Sequence, residues 1–105
     1  MGIEDVLLQQ LLTVAAQTAV DLQRGDVECG EALNYLVSGL KRLASTVEGA
    51  MVLVQNSNHI AEALIDLGPV VGGRIATHVA EHAEAPLSAT VFRDVSNMMN
   101  ITETV

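Results

Sequence analysis

Tryptophan is absent, and Tyr35 and Phe92 are the only aromatic residues in this 105-residue chain. Basic residues are also scarce: five lysines and arginines stand against thirteen aspartates and glutamates, for a net charge of −8 at pH 7. A direct nucleic-acid binder needs a basic face for phosphates and commonly aromatic rings for stacking, so this composition argues against that class. Cysteine occurs once, at Cys29, which rules out an internal disulfide framework and an all-cysteine zinc site. Long hydrophobic runs are missing as well. The longest uncharged stretches, 6–20 and 49–61, fall short of the ~18–20 apolar residues of a bilayer span and are broken by polar residues such as Gln9, Thr13, Asn56 and His59. The N-terminus carries Glu4 and Asp5 where a secretory signal would carry basic residues, so the expectation is a soluble, cytoplasmic protein without membrane contact.

What the chain does have is apolar mass: half of its residues are hydrophobic, too many for intrinsic disorder. The apolar residues recur with helical period. Ile3, Leu7, Leu8, Leu11, Leu12, Ala15, Ala19 and Leu22 form one stripe, with Asp5, Gln9, Thr13, Gln17 and Asp21 opposite. This predicts a helix over 3–24, stopped by Gly25. Leu33, Leu36, Leu40, Leu43, Val47, Met51 and Val54 continue in register, predicting one long helix over 27–55, bent near Gly49. The turn chemistry of Gln55-Asn56-Ser57-Asn58 precedes a short helix over 59–67, and Gly68-Pro69 separates it from a fourth over 69–83. Ala85-Pro86 opens a last helix over 86–99, with Leu87, Val91, Val95 and Met98 in register. No strand-like alternation, internal repeat or low-complexity segment interrupts them. The expectation is a single all-α domain over 1–105, a bundle of about five helices built on a long antiparallel N-terminal hairpin.

Chemistry is harder to find. In His78-Val79-Ala80-Glu81-His82, two histidines at i and i+4 share a helical face and make a weak metal-site candidate. The H-x-x-E-H spacing also matches the inverted zincin motif, in which the glutamate activates metal-bound water. Nothing else in the chain supports a protease, and two amphipathic histidines near a helix C-terminus have an ordinary explanation in the helix dipole. Di-iron carboxylate bundles need Glu-x-x-His, but Asn56, Ile75 and Val79 stand three before His59, His78 and His82. Cys29 lies among Asp26, Glu28 and Glu31, whose charges oppose a thiolate, and no histidine accompanies it. Residues 68–74 lack the G-x-x-x-x-G-K-[ST] spacing of a phosphate loop. No catalytic residue and no cofactor is therefore expected.

The expectation is a non-enzymatic protein–protein interaction module, a small acidic subunit that self-associates or docks on a larger protein. Its expected interface is Leu8, Leu12, Ala15 and Ala19 with the C-terminal Val95, Met98 and Met99, and no small-molecule substrate is expected. A second reading takes Asp21, Asp26, Glu28 and Glu31 as a partner-binding acidic face, imitating nucleic acid in a basic groove of an enzyme. A third takes His78 and His82 as a metal-binding pair.

Overall fold

Among the described residues Gly25 and Gly68 are the two with positive φ, at 83° and 103°, and each stands at a helix boundary. That backbone region is open to glycine and strained for other residues, so both positions fix where a helix stops or starts. In the computed structural model, residues 2–25 and 30–104 are described, with side chains through residue 99. Among them the chain forms six α-helices and no strand: α1 (Ile3–Gln23), α2 (Gly30–Leu43), α3 (Val47–Gln55), α4 (Ser57–Asp66), α5 (Pro69–His82) and α6 (Pro86–Thr104). Positions 26–29, including Asp26, Glu28, Cys29 and the expected start of the second helix, lie outside the described residues.

The expected long second helix is instead two helices, α2 and α3, which makes the count six rather than about five, and it is the shorter α2 that packs against α1. Three features make the break. Thr46 adopts an extended conformation (φ −124°, ψ 158°) and its Oγ1 accepts a hydrogen bond from Gly49 N–H, capping α3. The Ala44 carbonyl, released from the helix, accepts from the Ala85 N–H at 3.0 Å. A Cβ on Gly49 would collide with the Leu43 carbonyl oxygen, so only glycine lets α3 cross the end of α2 this closely. The same device recurs at the α4–α5 corner, where a Cβ on Gly72 of α5 would collide with the Leu64 carbonyl oxygen of α4.

Helix α1 packs against α2, α3 and α4, while α5 and α6 form the most extensive pairing. Leu8 and Leu11 of α1, Leu36 and Leu40 of α2, Leu53 of α3, Ile60 and Leu64 of α4, Ile75 and Val79 of α5 and Phe92 of α6 belong to one buried cluster. The radius of gyration, 12.7 Å, is close to the ~13 Å of a folded chain of this length, so much of the apolar surplus is accommodated inside one copy. No helix is long and apolar enough to cross a membrane, among the described residues.

One buried group is out of place. Ser88 is fully buried in the first turn of α6, and its Oγ finds no hydrogen-bond partner among the described residues. Removing an unsatisfied buried hydroxyl relieves its desolvation penalty, so Ser88→Ala is expected to raise stability by about 1 kcal/mol. Urea denaturation of the two proteins measures this, and a Ser88→Ala variant weaker than the parent would refute it.

Candidate functional site

The sequence VEGAMVLVQ of α3 has one charge in nine residues, so no polar side exists to face water. A helix apolar all round belongs in an interior. Here Gly49, Ala50, Val52 and Leu53 point inward, which turns Val47, Met51 and Val54 outward at i, i+4 and i+7. They are 67%, 53% and 44% exposed.

This outward stripe continues into a groove. Val54 of α3 and Asn58 and Ala61 of α4 form one wall; Leu87, Val91 and Met98 of α6 are among those forming the other, enclosing about 420 Å³. Leu87 and Met98 are 57% and 48% exposed, while Val91 and Val95 close the floor. Asp94 is the one charged side chain in the lining. The result is an apolar face running from Val47 along α3 and across to α6, with one carboxylate on it.

The residues expected to form the interface are distributed differently. Leu8, Ala15, Ala19, Val95 and Met99 are buried in the chain's own core, and Leu12 is half-buried against it. Their side chains are covered before any partner arrives, because α2, α3 and α4 close over α1 and α5 closes over α6. Of the seven, Met98 alone is an exposed residue on the groove.

The stripes read from periodicity were displaced for a definite reason. Val47, Met51 and Val54 continue the register of Leu36, Leu40 and Leu43, but the break at residues 44–46 turns α3 so that this register leaves the core. Among the described side chains of α6 the buried positions are Ser88, Val91, Phe92, Val95 and Met99, not Leu87 and Met98. The signal for the break was present: Ser45-Thr46 followed by Glu48 is an N-cap with an acidic first turn.

The remaining candidates are placed as follows. His78 and His82 stack with ring centroids 4.3 Å apart and planes 35° apart. His82 Nδ1 lies 2.9 Å from the His78 carbonyl oxygen, which can only accept, so the ring donates from Nδ1. Two imidazoles are half of a structural zinc set, and among the described residues no group of three or more histidines, cysteines or acids is placed to hold a metal ion. Of the acidic set, Asp21 accepts from Gln17 Nε2 at 3.1 Å near the end of α1, and Glu31 is exposed at the start of α2. Asp26 and Glu28 lie outside the described residues.

No family model, curated protein or solved structure matches the chain.

Proposed function

We propose that this protein is a non-enzymatic protein–protein interaction module whose docking surface is the α3–α6 face. The observation that carries the reading is the outward stripe of α3, Val47, Met51 and Val54, continued by Leu87 and Met98 around an open groove. Contiguous exposed apolar surface of this kind is costly in water and marks sites that a partner covers. The partner that fits most simply is a second copy. The chain's charge of −8 repels another copy least where charge is sparse, and Asp94 is the one charged side chain in the lining of this groove.

Light scattering at low and high salt tests it. The expected result is a defined multiple of the 11.1 kDa chain mass that persists at high salt, as apolar contact requires. Met51→Glu is expected to reduce that mass to a single chain while circular dichroism stays helical, since Met51 is 53% exposed and lies outside the core cluster. A monomer at every concentration would defeat self-association and move the face to a different protein partner. Association that dissolves in salt would favour the acidic surface instead.

A further inference from the structure

His78 and His82 stand one helical turn apart on α5, so both side chains leave the same face. His78 is half-buried and lines a groove with Asn34 and Val37 of α2, while His82 is exposed at the last residue of the helix. Neither ring is held by a carboxylate of the described residues. The third histidine, His59, has Gln55 and Ala63 at the same spacing, so no second imidazole accompanies it.

Two independent features of the pair point to a metal ion. The first is the distance between the rings. A metal–nitrogen bond of about 2.0–2.1 Å sets two imidazole centres about 4.5 Å apart at a right angle around the ion, and about 5.2 Å apart at the tetrahedral angle. The observed 4.3 Å is close to the right-angled value and well short of the tetrahedral one. The second feature is the hydrogen bond that His82 Nδ1 donates to the His78 carbonyl oxygen. Metal-ligating histidines commonly donate their other ring N–H to a backbone carbonyl, which fixes the orientation of the ring. A neutral imidazole that donates from Nδ1 presents its lone pair at Nε2, and in His82 that support is already made within the last turn of α5.

We propose that His78 and His82 form an open two-imidazole site for copper(II), with water in the remaining positions. A right angle between nitrogen ligands suits the tetragonal geometry of copper(II), which also heads the ordinary order of affinity among divalent ions. Structural zinc takes four ligands at tetrahedral angles, whereas this pair supplies two, held closer together. The net charge of −8 favours the approach of a cation. The site lies on α5 and stands independently of the α3–α6 docking face.

Titration of the full chain with copper(II) sulfate, followed by electron paramagnetic resonance and by broadening of amide signals, is the test. A single copper is expected, with two nitrogen ligands in the resonance spectrum and broadening centred on residues 78–82. His78→Ala and His82→Ala are each expected to weaken copper by about tenfold or more, since either leaves one imidazole, while His59→Ala leaves the affinity unchanged. Both side chains lie outside the core cluster, so circular dichroism of the variants is expected to stay helical. Copper is expected to raise the melting temperature of the parent and of neither variant, because the two rings meet only when α5 is helical. Zinc(II) sulfate is expected to bind at the same place more weakly. The proposal is overturned by broadening centred elsewhere, by a one-nitrogen spectrum, or by zinc binding as tightly as copper. It is equally overturned if either variant of the pair keeps its copper affinity within ~twofold of the parent.

Discussion

Gly72→Ala is expected to destabilise the protein by about 2 kcal/mol or more, although alanine is the better helix former by about 1 kcal/mol. The sign is decided by what the new methyl meets. At Gly72 it collides with the backbone carbonyl of Leu64 and presses on Met99 Cε at 3.2 Å. A side-chain end can rotate away, but a carbonyl in the last turn of α4 moves only if the α4–α5 corner opens. Gly49→Ala repeats the experiment at the α2–α3 corner, where the obstacle is the Leu43 carbonyl with its carbon 2.8 Å from the new methyl. Gly73→Ala is the matched control: its methyl has room, so propensity wins and stability rises by about 0.5–1 kcal/mol. For a domain of this size, 2 kcal/mol lowers the melting temperature by roughly 10 °C. Thermal unfolding of the three variants followed by circular dichroism measures all of this together. A Gly72→Ala protein as stable as Gly73→Ala would show that the α4–α5 corner is not packed backbone to backbone.

Phe92→Ala is expected to cost about 3–5 kcal/mol, the cost of transferring a large ring back to water plus that of the cavity left behind. Phe92 is the largest fully buried side chain and sits in α6, whose partner α5 gives the most extensive helix pairing. No other phenylalanine and no tryptophan is available to fill the space, and the surrounding Leu, Val and Ala side chains are too small to collapse into it. Against a total stability of about 5–15 kcal/mol for a small domain, this is the single truncation most able to unfold the protein. Phe92→Leu keeps most of the volume and is expected to cost roughly 1 kcal/mol. Urea unfolding separates the cases: the midpoint falls steeply for alanine and slightly for leucine, with the slope unchanged. A small effect of Phe92→Ala would mean that the α5–α6 pairing does not depend on its centre.

The helical class and most helix ends are legible along the chain because their causes are local. Gly25 stops α1, Gly68-Pro69 separates α4 from α5, and Pro86 opens α6. A cap, a positive φ or a fixed proline φ acts within a few residues and leaves its mark in those residues. The same holds for the histidine pair of α5, where a spacing of four places His78 and His82 together without help from the rest of the fold. The groove that His78 lines with Asn34 and Val37 is a matter of how α2 lies on α5.

Which apolar face stays outside is a different kind of question. Two possible registers run through α3, one through Val47, Met51 and Val54 and one through Ala50, Val52 and Leu53, and both are hydrophobic. Periodicity has no power to choose between two apolar faces, because burying either satisfies the pattern. The choice is made by packing: the distant Ala85 N–H on the Ala44 carbonyl, and the close backbone approach of Gly49 to the end of α2. The same competition in α6 buried Phe92 and Ser88 and left Leu87 and Met98 at the surface. Local stereochemistry thus determined where most of the helices lie in the sequence. Tertiary packing determined which side of it faces water, because an orphaned carbonyl and a close backbone crossing are satisfied only by the neighbour that arrives.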